Sequence, residues 1–187
     1  MKKITIILCF LLIMVSKSFS ATSFEFGIGS GFVFYGDEKT KDLISLVDDT
    51  NQIILSGSGS FLFSVAPSVK FALGVDSLFD AHWHGGNYIY LWDYCGFLGV
   101  RVYPGFAGLI CGVNYCLGRR TDFYNFKNAE EDVNSTKFGN GFSFNLGYDF
   151  GFERKGWAPL INAGWRRMPR GGSSDNIISV SVKVSSK

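Results

Sequence analysis

The sequence contains little proline, little histidine and few charged residues. Four prolines and two histidines occur among 187 residues, and charged residues make up 18% of the chain. An apolar run, Ile4–Val15, is too short to cross a bilayer as a helix. The formal net charge is only +2, so nothing in the composition draws the chain to nucleic acid.

The first twenty residues have the pattern of a secretory leader. Lys2 and Lys3 precede the apolar run, and Ser18 and Ser20 are small residues at the spacing that a signal peptidase reads. We predict a cleaved signal peptide over residues 1–20, followed by one domain. A single membrane anchor is the alternative.

The predicted domain covers residues 21–187 and has a formal net charge of −1, because three lysines leave with the leader. It keeps three of the four cysteines, Cys95, Cys111 and Cys116. An odd number of cysteines argues against a disulfide framework.

Glycine and phenylalanine are abundant, with 23 and 19 residues, and they alternate. Over Phe138–Glu153 one side of the chain carries mostly bulky aromatic residues and the other carries glycine and small polar residues. Side chains on a strand point to opposite faces in turn, so this segment is a strand with two different faces. The aromatic residues are too many and too bulky for a small core. We therefore expect that face to contact lipid and the polar face to line a closed barrel. A soluble β-protein with an aromatic core is the alternative.

The same alternation predicts eight strands. They are Ser23–Phe34, Ile53–Val65, Val69–Phe79, Tyr88–Val102, Ala107–Leu117, Phe138–Glu153, Trp157–Arg167 and Ile177–Val184. Their connections alternate between short turns at 66–68, 103–106 and 153–156 and longer polar loops at 35–52, 80–87, 118–137 and 168–176. Short turns at one rim and long loops at the other are typical of bacterial outer-membrane barrels.

With this pattern the chain resembles the small eight-stranded outer-membrane barrels, the OmpA-transmembrane, OmpX and OmpW-like proteins. The resemblance covers residues 21–187 and rests on the alternation, the strand count, the loop lengths and the leader. It implies an all-β, antiparallel, up-and-down transmembrane β-barrel in the bacterial outer membrane. Its expected partners are outer-membrane lipid, the outer-membrane assembly machinery, and small solutes or host ligands at the loops. Such barrels commonly end on an aromatic residue that the assembly machinery recognises, whereas this chain ends Val182–Lys187, so we expect a different insertion signal.

Eight strands make a barrel that its own side chains fill, or that holds one small ligand. Buried charges must pair, so we expect the lumen to hold a polar network that stiffens the barrel. The predicted network is Glu25, Lys70, Asp76, Asp93, Arg101, Asn114, Asn145, Asp149, Arg166 and Lys183. An internal ion pair that opens as a gate is the alternative role.

Three functions follow from this interpretation. The first is a narrow porin-like or structural barrel, and the resemblance implies passage of small solutes or hydrophobic compounds. The second is a surface adhesin that works through the loops Tyr35–Gln52 and Gly118–Lys137. The third, a lipid-modifying enzyme built on Ser77, Asp80 and His82, lacks a family motif. We expect no enzymatic activity and no cofactor.

Two further groups of residues have alternative interpretations. His82 and His84, beside Asp80, could share a metal ion, but surface histidines in a loop explain the pattern without one. Cys95 and Cys116 point inward on neighbouring strands, and a turn centred on residues 105 and 106 would set them opposite each other. A disulfide between them would then depend on demanding cross-strand geometry.

Overall fold

The computed structural model describes residues 22–47, 51–105, 108–126, 132–152 and 155–186. The predicted signal peptide, residues 1–20, lies outside these ranges. Within them the chain forms one helix and nine strands. These are β1 (Thr22–Phe34), α1 (Glu38–Ser45), β2 (Asn51–Ala66), β3 (Val69–His84), β4 (Asn87–Val102), β5 (Leu109–Asn125), β6 (Asp132–Ser135), β7 (Gly139–Asp149), β8 (Trp157–Pro169) and β9 (Ser174–Ser186).

In the described part of the chain, no helix has both the length and the apolar character needed to cross a membrane.

Eight of the strands close into an antiparallel barrel, which confirms the predicted fold class. Each strand pairs with its neighbour in the sequence, except that β5 pairs with β7, and β9 closes the barrel on β1. The short strand β6 pairs with the outer end of β5, beyond the part of β5 that pairs with β7, and extends the wall at the outer rim. Closure removes the free edges that an open sheet of this size would expose.

The strands are tilted in the way that a small barrel requires. Hydrogen-bonded partners can be followed once around the barrel, from Phe24 through Phe61, Leu73, Leu98, Tyr115, Phe142, Arg167 and Asn176 to Phe34. The path returns to β1 ten residues beyond its start. Such a stagger tilts the strands against the barrel axis and leaves an interior just wide enough for side chains.

The two faces of the wall have the predicted chemistry. Apolar side chains such as Phe26 and Ile28 point outward and are 59% and 77% exposed. Side chains at the alternate positions point inward, where Leu62 is fully buried. An exposed apolar band of this extent far exceeds the patches on soluble monomers and suits a hydrocarbon solvent.

The strands extend further at the loop-bearing rim than the sequence pattern predicted. The segment expected to be a loop at 80–87 is the end of β3, a two-residue turn and the start of β4. Gly85 and Gly86 form that turn with positive φ angles of 56° and 93°, which suit a tight hairpin. Likewise β5 continues to Asn125 and remains paired with β4 over this extension. Polar residues at the rim therefore occupy strands, because the barrel wall continues beyond the apolar band.

Helix α1 lies between β1 and β2 and packs into the mouth of the barrel. Asp37 caps its N-terminus by accepting a hydrogen bond from the Thr40 N–H at 3.2 Å. After the helix, Val47 packs against Ile89 and Leu91, which point inward from β4. A small apolar core therefore lies at the outer rim of the barrel, at the opposite end from the short turns.

Candidate functional site

At the inner end of the lumen, two predicted residues form an ion pair. The Arg101 guanidinium from β4 contacts the Glu25 carboxylate from β1, and both side chains are buried. Nearby, Lys70 Nζ lies 3.4 Å from Ser23 Oγ and 5.4 Å from the centre of the Tyr103 ring. Burial raises the pKa of Tyr103, in the turn after β4, to about 12, so its hydroxyl stays protonated. This pair and its neighbours occupy the end of the lumen nearest the short turns.

Above this pair lies a polar cavity with a volume of about 40 Å³. Its wall includes Asp76, Lys183 and Arg166, together with serine hydroxyls and the amides of Asn145 and Asn162. Arg166 Nη1 is 3.9 Å from Asp76 Oδ2. The volume has room for about three water molecules, and the polar wall offers each of them partners.

Neutral hydrogen bonds link the remaining predicted residues on β5, β7 and β8. Ser143 Oγ accepts from Asn114 Nδ2 at 2.9 Å and from Asn145 Nδ2 at 3.3 Å. Asn145 Oδ1 in turn lies 3.4 Å from Asn162 Nδ2. Asp149 is buried at the inner turn, where it accepts the Gly151 N–H at 2.9 Å.

Toward the outer rim, Asp93 joins two arginines. Arg166 Nη2 donates to Asp93 Oδ1 at 2.6 Å, and Arg170 Nη2 donates to Asp93 Oδ2. Arg170 also donates to the Gly118 carbonyl at 3.2 Å, and its Nε is 3.5 Å from Asp175 Oδ2. Burial lowers the pKa of Arg170, in the loop after β8, and the Asp175 carboxylate opposes this shift.

The network continues through Arg120, which is 2% exposed. Its guanidinium donates to Asp175 Oδ2 at 2.7 Å and to Asp122 Oδ1 at 2.7 Å. Its Nη2 also donates to Thr40 Oγ1 at 2.6 Å, and its guanidinium carbon lies 4.9 Å from the centre of the Tyr35 ring. Arg120 therefore links helix α1 to the ion pairs around Asp93 and Asp175.

All ten predicted lumen residues lie on inward-facing positions, but the ion pairs among them form two separate groups rather than one network. Glu25 and Arg101 are at the inner end, whereas Asp93 and Arg166 belong to the outer group. Four members of the outer group lie in segments that the sequence pattern predicts to be loops: Arg120, Asp122, Arg170 and Asp175. The alternation of β5 extended past residue 117 would have found Arg120 and Asp122.

A second buried group at the outer rim surrounds Asp80. His82 Nε2 and Gln52 Nε2 each lie 3.0 Å from Asp80 Oδ1. Tyr35 donates its hydroxyl to Asp80 Oδ2 at 2.7 Å. Burial and the Asp80 carboxylate raise the pKa of Tyr35 well above its usual value, so the phenol remains a donor. The histidine is thus a buried partner of a carboxylate, not a surface loop residue.

The three residues considered for an enzymatic triad are not assembled. Ser77 points outward and its Oγ accepts from Trp92 Nε1 at 2.7 Å, while Asp80 and His82 are buried inside the barrel. His84 lies at the end of β3 and is exposed. In the described ranges, no three His, Cys, Asp or Glu side chains are grouped so that they could hold a metal ion.

The expected alignment of Cys95 with Cys116 is wrong by two residues. Cys95 pairs with Gly118, and Cys116 pairs with Phe97, because the turn between β4 and β5 is centred one residue later than predicted. Diagonal neighbours on a sheet are about 7–8 Å apart, whereas a disulfide needs Cα atoms within about 7 Å. Both thiols are free.

The fold has known counterparts among solved structures. The attachment invasion locus protein Ail of Yersinia pestis, solved with the heparin analogue sucrose octasulfate, superposes with a TM-score of 0.57 at 9% identity, covering 88% of this chain and 97% of Ail. Neisserial surface protein A superposes with a TM-score of 0.53 at 10% identity, covering 89% of this chain and 96% of that protein.

No protein-family model matches the chain, and no curated protein matches its sequence. The two superpositions cover nearly the whole chain, and they confirm the predicted likeness to small eight-stranded outer-membrane barrels at the level of the fold.

Proposed function

We propose that this protein is a non-enzymatic barrel of the bacterial outer membrane, closed at rest, that presents an ordered cap at the cell surface. The connected ion pairs from Arg166 through Asp93, Arg170 and Asp175 to Arg120 carry the proposal. They cross the outer part of the lumen, and α1 lies over them. A network in which most charges are paired stiffens a barrel and blocks a water path.

The outward face supports the membrane location. Its apolar side chains would have no favourable solvent in water, and closure of the sheet satisfies the backbone groups that lipid cannot bind. The covering of the barrel mouth by α1 and the apolar core around Val47 favours a structural role over an open pore.

Solute passage through this barrel requires that both charged groups rearrange. The inner pair Glu25–Arg101 and the outer group around Asp93 lie in series, with the polar cavity between them. A solute or a hydrated ion would have to displace both, and each displacement leaves buried charge unpaired. The resting state is therefore closed.

We expect purified, refolded protein in planar bilayers to show no steady conductance steps. Replacing one arginine of each group, in the double variant Arg101→Ser/Arg166→Ser, should break the Arg101–Glu25 and Arg166–Asp93 ion pairs and produce measurable channel events. Single-channel recording at several voltages checks both results.

The matched control is Arg101→Ser/Arg167→Ser, because Arg167 neighbours Arg166 on β8 but points outward and is exposed. This control should stay closed. Steady conductance in the unmodified protein, with the same amplitude in all variants, would show that the ion pairs do not close the lumen.

A second candidate function, surface binding, is favoured by an open cleft in the outer rim. The cleft has a volume of about 470 Å³ and a mostly polar lining that includes Asp37, Glu38, Arg120, Asn134 and Arg170. Ail is described in complex with a sulfated sugar analogue. In this chain acidic side chains border the cleft and both arginines are already paired, so a neutral sugar fits the lining better than a polyanion does.

Glycan-array binding by the refolded protein tests the second candidate. Binding to uncharged glycans that is lost on Asn134→Ala would support a role in attachment. Retention on heparin that persists in the Asn134→Ala variant would place binding elsewhere on the surface.

A further inference from the structure

Two arginines, Arg119 on β5 and Arg167 on β8, carry the charge on the outward face of the barrel wall. Every other outward position of the eight barrel strands holds an apolar or an uncharged polar side chain. Both arginines lie toward the outer rim, near the edge of the apolar band. In the part of the chain that the structure describes, no carboxylate lies within ion-pair distance of either arginine.

The two arginines flank β7 and share a neighbour on that strand. Asn140 is paired with Leu117, two residues before Arg119, and Phe142 is paired with Arg167. Asn140 is therefore a diagonal neighbour of each arginine, at about 7–8 Å. Its side chain also points outward and is exposed. Two guanidiniums and one amide thus border a single patch of the outer surface.

Aromatic rings hold Arg119 in place at this patch. Its Nε donates to the Tyr94 hydroxyl, and its guanidinium carbon lies 5.8 Å from the centre of the Tyr94 ring and 5.4 Å from the centre of the Phe138 ring. These contacts use one N–H group and leave the other donors of the guanidinium for a ligand. A guanidinium that is already oriented loses less side-chain entropy for each hydrogen bond that it forms.

An apolar groove lies next to the patch, on its inner-rim side. It has a volume of about 470 Å³, and its lining is mostly hydrocarbon from β4, β5, β7 and β8. The groove begins at Phe144 and Trp165, which follow Phe142 and Arg167 on the outward face in the direction of the inner rim. Ala163 borders it with a small side chain, which leaves room between β7 and β8.

The combination of patch and groove favours an amphiphilic anion. Guanidinium groups bind phosphate through paired hydrogen bonds, and an amide supplies a further N–H donor. A soluble anion would meet only the polar patch, whereas a lipid would also place hydrocarbon in the groove.

We propose that Arg119, Asn140 and Arg167 bind the phosphorylated headgroup of an anionic lipid in the outer leaflet, with an acyl chain of that lipid in the groove. This site rests on the membrane location proposed above, and it adds a specific lipid partner to the barrel.

Trp165 provides a local reporter for the site, because it lies between Arg167 and the groove. In a chain with phenylalanine in place of Trp83, Trp92 and Trp157, its fluorescence in phosphatidylcholine vesicles can be quenched by lipids with brominated acyl chains. Brominated phosphatidic acid should quench at a mole fraction about 10–30-fold lower than brominated phosphatidylcholine, since each arginine near the membrane surface strengthens the binding of an anionic lipid.

The double variant Arg119→Gln/Arg167→Gln should abolish this preference for phosphatidic acid. Lys155→Gln is the matched control and should keep the preference, because Lys155 is an exposed cation in the turn at the opposite rim. Heat-modifiable gel migration reports whether each variant has folded. Inorganic phosphate should displace the lipid no better than chloride does at equal ionic strength, because it has no chain for the groove.

The chain with both arginines intact already decides between the outcomes, whether or not the double variant folds. Equal quenching by the two brominated lipids would overturn the lipid site and leave the membrane barrel intact. Absence of quenching by either lipid would overturn the lipid site together with the membrane location. Displacement by inorganic phosphate beyond the effect of chloride, or loss of the preference in Lys155→Gln, would also contradict the proposed site.

Discussion

Replacing Asp93 with asparagine is expected to lower the free energy of unfolding by about 3–5 kcal/mol, because it removes the anion shared by two buried guanidiniums. Arg166 and Arg170 both donate to Asp93, and their next carboxylates are farther away, at 3.9 Å and 3.5 Å. The substitution keeps the shape of the side chain, so the loss of stability results from the missing charge rather than from altered packing. Reversible urea unfolding in lipid vesicles measures it.

Asp42→Asn is the control for this prediction, since Asp42 is an exposed aspartate on α1. It should change stability by no more than about 0.5 kcal/mol. Combining Asp93→Leu with Arg166→Met and Arg170→Met removes the charges together and should recover most of the loss, because a well-packed apolar group can replace a buried ion pair. Equal effects of Asp93→Asn and Asp42→Asn would contradict the assignment of Asp93 as the centre of the outer group.

The barrel could be predicted because its physical constraint has a period of two residues. Every second side chain must face hydrocarbon, so the alternation over Phe138–Glu153 determines which residues of β7 line the lumen. The same rule correctly predicts that Glu25 and Arg101 point inward. The alternation assigns a side chain to one face of the wall, but it does not determine its position along the barrel axis or its partners, so the sequence does not distinguish the two charged groups.

The outer rim was harder to predict, because a polar segment there is typical of a loop. Asp80 and Arg120 occupy inward-facing positions in the alternation of their strands. They lie beyond the apolar band, however, where a polar composition no longer distinguishes a loop from a strand of the barrel. Arg170 lies in a loop after β8, where no periodicity applies. The stagger of Cys95 against Cys116 depends on where one turn is centred, and a shift of that centre by one residue moves every pairing by two.

Replacing Leu98 with arginine is expected to lower the free energy of unfolding in a bilayer by about 2–4 kcal/mol, because the arginine charge would lie in hydrocarbon near the middle of the barrel wall. Leu98 points outward from β4, opposite Leu73 and Tyr115, and is 59% exposed. Urea unfolding of Leu98→Arg in vesicles, with heat-modifiable migration as the check on folding, measures the cost.

The matched control is Val133→Arg, because Val133 is 54% exposed but lies on β6, at the outer rim beyond β7. A water-soluble β-protein would accept arginine at both positions about equally, since surface substitutions usually change stability by less than about 0.5 kcal/mol. A membrane barrel must distinguish them, because only Leu98 loses hydration when the protein folds into lipid. The difference between the two variants therefore measures whether hydrocarbon is the solvent of the outward face, and equal costs would exclude a membrane-spanning barrel.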